Sequence, residues 1–119
     1  MIQTSNFHHF KHTPDDLRLV SIALYAPKWY KGRSYPALAP ARDMLKMEES
    51  EYRPKYASIL ARLDPQKVFE DLGKEAIFLC WEPPGKFCHR RLVAEWLEEH
   101  LGRRVPEVGI DERQKSLFG

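Results

Sequence analysis

The sequence predicts an α/β fold, a small and mostly parallel sheet with flanking helices in a Rossmann-like three-layer arrangement. Two observations carry this. The runs "LRLVSIALY" (17–25) and "EAIFLCW" (75–81) are short and almost continuously apolar, the pattern of strands covered on both faces. Between and after them lie segments whose apolar residues recur at helical spacing. Strands alternating with helices need crossover connections, which set the strands parallel. Residues 18–25 and 75–81 are therefore expected to be adjacent or near-adjacent parallel strands in the core.

Each element has its own signal. "MIQTSNF" is strand-like, with Ile2, Thr4 and Phe7, and runs into the histidines at 8, 9 and 12. "LAPARDMLKM" (38–47) reads as a helix with an early proline. "EYRPKYASILARL" (51–63) repeats Tyr52, Tyr56, Ile59, Leu60 and Leu63 on one helical face. "DPQKVFEDLG" (64–73) opens on an Asp N-cap with proline at the first helical position and stops at Gly73. "CHRRLVAEWLEEHLG" (88–102) places Leu92, Val93, Trp96, Leu97 and Leu101 on one face and ends at Gly102. A last strand is indicated at "RRVPEVGI", weakened by Pro106.

The chain has 119 residues, enough for one domain (1–110) and a C-terminal tail (111–119) that reads as a flexible peptide. A formal net charge of +2 is too small for nucleic-acid binding by bulk electrostatics, so any basic surface must be local. No apolar run approaches the roughly 18 residues that span a bilayer. The N-terminus lacks the pattern of a signal peptide. A cytoplasmic protein without membrane contact is the expectation, and in a reducing cytosol the two cysteines read as free thiols or metal ligands rather than a structural disulfide.

In open α/β sheets, ligands bind beyond the carboxyl ends of the strands. Chain direction collects three loops on that rim: His8 and His9, then "APKWYKGRSY", then "WEPPGKFCHRR". "TSNF", "SIALYAPKWYKGRSYPALAP" and above all "LCWEPPGKFCHRRLVAEWL" resemble the bacterial and archaeal DUF488 family, a domain of unknown function. Cys80, Glu82, Cys88, His89 and Arg90 match its Cys-x-Glu and Cys-His-Arg motif. The resemblance covers roughly residues 1 to 110 and implies an α/β fold in the cytosol, with no established reaction. Larger members often carry Asp-Val-Arg where this chain has Ser21-Ile22-Ala23, so no role for that pair carries over.

Three chemistries compete for the rim. The first is a site for a phosphate-bearing ligand, a nucleotide or nucleic acid. Arg90, Arg91, Lys31 and Arg33 would hold phosphate at a helix start, and Trp29 and Tyr35 would stack on bases. The plainer alternative has Trp29 and Tyr35 capping the core while the cations face water. In the phosphate-site reading the start of the 88–102 helix faces the 27–35 loop across a cleft. The second is a thiol-dependent enzyme acting on a small molecule, with Cys88 as nucleophile, His89 as base and Glu82 as orienting group. Cys88, at a helix start beside Arg90, is expected to be the more reactive thiol, and Cys80 a buried apolar one. The third is a metal site of Cys80, Cys88 and His89, completed by His8, His9 or His12. The sequence does not identify a cofactor.

The tail "RQKSLFG" resembles the short peptide by which bacterial replication and repair proteins dock on the DNA sliding clamp. Leu117 and Phe118 would fill one hydrophobic pocket and Gln114 a neighbouring polar subsite. Such docking would make the protein a DNA-maintenance factor.

Overall fold

The structure is a computed structural model that describes residues 1–109. Its strands are β1 (Gln3–Asn6), β2 (Leu19–Ser21), β3 (Arg33–Ser34) and β4 (Ile77–Cys80), and its helices are α1 (Glu49–Leu60), α2 (Pro65–Leu72) and α3 (His89–Leu101). The four strands form one all-parallel sheet in the order β1-β4-β2-β3. The two apolar runs are direct neighbours, with Leu19 opposite Ile77 and Ser21 opposite Leu79, as the sequence predicts. Both strands are shorter than their apolar runs: Leu17 and Tyr25 are exposed at the ends of the first, and Trp81 at the end of the second.

Side chains alternate across the sheet, as a pleated strand requires. Val20, Ile22 and Phe78 join the core formed with Tyr56 and Leu60 of α1, Val68 and Leu72 of α2, and Val93 and Leu97 of α3. Leu19, Ile77 and Leu79 belong to a second cluster with Phe7, Phe10 and Tyr30, against which Trp29 packs. The three α-helices thus share one cluster, while a 3₁₀ turn (His8–Phe10) and an aromatic loop supply the other.

Differences from the sequence reading have local causes. The helix expected over 38–47 is two 3₁₀ turns, Pro36–Leu38 and Arg42–Lys46. Pro40 disfavours helical geometry in the residue before it, and Ala39 is extended (φ −74°, ψ 148°). α1 stops at Leu60 rather than 63 because the chain must reach Asp64, extended before Pro65, whose carboxylate accepts from the Gln66 N–H at 3.0 Å. The strand expected near 103–110 is a single parallel bridge between Glu107 and Thr4 on the outer edge of β1. Pro106, lacking an N–H, still contributes its carbonyl, which accepts from the Thr4 N–H. Strand β3 is too short, at two residues, to leave a pattern in the sequence. Among the described residues no helix is long and apolar enough to cross a membrane.

Strand β3 depends on a close approach in the loop that delivers it. The Tyr30 hydroxyl donates to the Arg33 carbonyl, and the ring folds over Gly32. A β-carbon at Gly32 would lie 2.7 Å from the Tyr30 hydroxyl oxygen and 2.8 Å from its Cζ. Gly32→Ala is therefore expected to displace a buried ring and lower stability by about 1–3 kcal/mol, read by urea unfolding. An unchanged midpoint would show that Tyr30 does not anchor this edge of the sheet.

Candidate functional site

A cavity of about 330 Å³ opens beyond the carboxyl ends of β2 and β4. It lies where open α/β sheets present their ligand sites. Cys80, Glu82, Cys88 and His89 line it, together with Leu24, Met44, Tyr52 and Phe87. Four of the five residues in the Cys-x-Glu and Cys-His-Arg segments therefore line one space, and the fifth, Arg90, touches Cys80.

The two cysteines are joined as a disulfide, which corrects the expectation of free thiols. Cys80 ends β4 and Cys88 is the N-cap of α3, so the strand end and the helix start are bound across the Pro-Pro-Gly loop. The loop is held at its start as well, where the Trp81 Nε1–H donates to the Tyr25 carbonyl at 2.7 Å.

His89 is buried beside this pair. Its Nε2 lies 2.7 Å from the carbonyl oxygen of Ile22, the residue that follows β2. A carbonyl only accepts, so Nε2 carries the proton and Nδ1 presents a lone pair. That Nδ1 faces the Cys88 Sγ at 3.7 Å. Burial, aided by the Arg90 charge and opposed by the Ile22 hydrogen bond, lowers the His89 pKa to about 4. The imidazole is neutral at neutral pH. The orienting role expected of Glu82 is filled by the Ile22 carbonyl, while Glu82 itself is exposed at the cavity edge.

Arg90 is fully buried and pairs with Glu107, Nε to Oε1 and Nη2 to Oε2, each at 2.9 Å. Its Nη1 donates to the Cys80 Sγ at 3.1 Å and its Nη2 also reaches the Pro83 carbonyl at 3.3 Å. The guanidinium therefore contacts Cys80, so the charge expected beside Cys88 stands beside the other sulfur. Burial pushes the Glu107 carboxyl up, but hydrogen bonds from Arg90 and Thr4 and the charges of Arg90 and Arg91 outweigh it, and its pKa falls below the ordinary glutamate value.

The residues expected to hold phosphate are not brought together. Arg90 is spent on Glu107 and Cys80. Arg91 donates to the Thr4 hydroxyl at 2.9 Å and the Val105 carbonyl at 2.8 Å. Because β3 runs parallel to β2, Arg33 begins at the amino edge of the sheet, and its guanidinium reaches the Leu72 and Arg18 carbonyls. Lys31 is exposed, Trp29 packs edge-on against Phe7 and Tyr30, and Tyr35 donates to Asp71. The start of α3 thus faces residues 22–25 and not the 27–35 loop. His8, His9 and His12 are exposed and stand outside the ligand cluster of Cys80, Cys88 and His89. Gln114, Leu117 and Phe118 lie outside the described residues.

Two components were not legible in the sequence. The Ile22 carbonyl acts only through its position past a strand end, and Glu107 lay in the weak strand expected at 103–110 with nothing nearby in the sequence to mark it as the partner of a buried cation. No family model, curated protein or solved structure matches the chain.

Arg90→Ala would leave the Glu107 carboxylate buried without its cation, and should cost about 3–5 kcal/mol in chemical unfolding. The pH response follows from the depressed Glu107 carboxyl. A group lowered on folding contributes stability that is complete above its unfolded value and is lost as pH falls through the folded one. Thermal midpoints should therefore drop on acidification below the ordinary glutamate range, and Glu107→Gln should flatten that part of the profile. Parallel profiles for parent and variant would mean that the carboxylate carries no such linkage.

Proposed function

We propose that the protein is a thiol-dependent enzyme whose Cys80–Cys88 pair exchanges electrons with a small thiol or disulfide held in the cavity. The observation that carries this reading is the position of the joined sulfurs between a guanidinium and a neutral imidazole, on the wall of an accessible cavity. In a reducing compartment a disulfide of this kind is a catalytic or redox-sensing element rather than a structural one.

The chemistry is thiol–disulfide exchange. A substrate thiolate attacks the Sγ of Cys88, a residue 7% exposed where Cys80 is 1% exposed. A bond forms between substrate sulfur and Cys88, and the Sγ–Sγ bond breaks with its electron pair leaving on Cys80. Arg90 Nη1, 3.1 Å from that sulfur, stabilises the departing thiolate. A second substrate thiolate then attacks the substrate sulfur of the mixed disulfide. The electron pair leaves on the Cys88 Sγ, which faces the His89 Nδ1, and a small disulfide departs. Each protein thiolate takes up one of the two protons given up by the substrate thiols. The substrate pair is oxidised by two electrons and the protein disulfide is reduced; the reverse sequence restores it. Leu24, Met44 and Phe87 on the cavity wall favour a substrate with an apolar body.

The test is to trap the intermediate. Cys80→Ser incubated with a small aromatic disulfide should hold one substrate half as a mixed disulfide on Cys88, seen by mass spectrometry. Cys88→Ser should react at least tenfold more slowly through the buried Cys80. Adducts forming faster on Cys80 would reverse the polarity of the pair, and no adduct on either thiol would remove the activity.

A further inference from the structure

The same side chains that form the redox pair also form a ligand set. Cys80 and Cys88 each offer Sγ and His89 offers a ring nitrogen, and these atoms lie within 4.8 Å of one another in a buried cluster. Among the described residues, this cluster combines two sulfurs with an imidazole, the donor set preferred by zinc-class ions.

Three further features are those of a metal centre. The first is the orientation of His89. Its Nε2–H is fixed on the Ile22 carbonyl at 2.7 Å, leaving the Nδ1 lone pair turned toward the Cys88 Sγ. A ligating histidine almost always donates its other ring N–H in this way, which fixes the tautomer and the ring direction. The second is the hydrogen bond from Arg90 Nη1 to the Cys80 Sγ at 3.1 Å, of the kind that offsets the charge of a bound thiolate. The third is the spacing of the backbone. The Cα atoms of Cys80 and Cys88 are 7.5 Å apart, beyond the 4.4–6.8 Å usual for disulfides, and two thiolates sharing one ion fit this wider span. Cys80, Cys88 and His89 all line the cavity, which gives a fourth position on the ion access to it. Three protein ligands with a fourth position open to a cavity is the pattern of a catalytic rather than a structural zinc site.

We infer that the reduced protein binds one zinc-class divalent cation through Cys80 Sγ, Cys88 Sγ and His89 Nδ1, with its fourth position open to the cavity. The inference rests on the reading above in one respect, that the disulfide is reducible. Reduction by a phosphine or a dithiol supplies two electrons and two protons, giving two thiols. The incoming cation displaces protons from those thiols as its bonds to sulfur form. Oxidation of the two thiolates by a small disulfide removes two electrons, closes the Sγ–Sγ bond and expels the cation. Ion and disulfide use the same sulfurs, so each excludes the other, and the redox state of the pair sets metal occupancy.

The experiment uses the full chain without a histidine tag. The protein is reduced with a phosphine, freed of it without oxygen, and its thiols are counted before titration with Co²⁺ and then Zn²⁺. The expected result is two thiols per chain, one Co²⁺ bound with a near-ultraviolet thiolate-to-cobalt charge-transfer band, and loss of the band when Zn²⁺ displaces it. The oxidised protein should show no band, a comparison that needs no substitution. Cys80→Ser and Cys88→Ser should each weaken Co²⁺ binding at least tenfold, with circular dichroism confirming that they fold. Two thiols without any cobalt band at millimolar Co²⁺ would overturn the metal inference and leave the redox reading standing. Failure of any thiol to appear on reduction would overturn both. Equal binding by the oxidised protein, or by both serine variants, would place the ion elsewhere and overturn the inference.

Discussion

The buried guanidinium of Arg90 is the constraint on which the rest of this site depends. A cation beside a helix start meets the partial positive charge of unpaired N–H groups, and burial strips it of water as well. Such a charge persists only when paired, and here each nitrogen of the guanidinium has a partner. Glu107 takes two of its donors, and the remaining contacts are the Cys80 Sγ and the Pro83 carbonyl. The four groups belong to α3, the end of β4, the Pro-Pro-Gly loop and the segment along β1. None of these can shift without leaving a buried charge unpaired. Arg91 repeats the device next door by joining Thr4 and Val105.

That rigidity places the sulfur pair. Cys88 is the residue just before the first helical turn, so fixing Arg90 also fixes the Cys88 side chain against the strand end that carries Cys80. The parallel sheet contributes the other half. Beyond the end of β2 the Ile22 carbonyl points out of the strand ladder, and it accepts from His89. The edge-on contact of the Tyr56 ring with the imidazole (centroids 5.4 Å apart) packs the histidine from the helical side. The chemistry at the rim therefore follows from two groups that must be satisfied, a buried cation and a strand-end carbonyl.

The fate of the other cations has the same physical root. Long arginine side chains on a small domain find backbone carbonyls left over at helix and strand ends, and each such contact removes a donor from the solvent-facing surface. Arg33 does this at the end of α2, as Arg91 does at Val105. A cluster of basic residues along the sequence is consequently not a basic patch in space, and the net charge of +2 already pointed that way.

The sequence by itself determined the sheet's core and most of the helices. Continuous apolar runs at 17–25 and 75–81 bury side chains on both faces of a strand whatever surrounds them, and Asp64-Pro65 and Gly102 mark helix ends by local backbone geometry. It also gathered Cys80, Glu82, Cys88 and His89 into one segment, close enough along the chain that a strand, a loop and a helix start must keep them near each other. Only the tertiary structure decided what each of them does. The partner of Arg90 is Glu107 and that of His89 is Ile22, separated by 17 and 67 positions in the chain. Which loops reach the rim depended on strand order, since β3 starts at the opposite edge and carries Arg33 away. Local propensity is written in neighbouring residues, whereas the pairing of a buried charge or a strand-end carbonyl is settled by whichever distant group the packed fold brings to it.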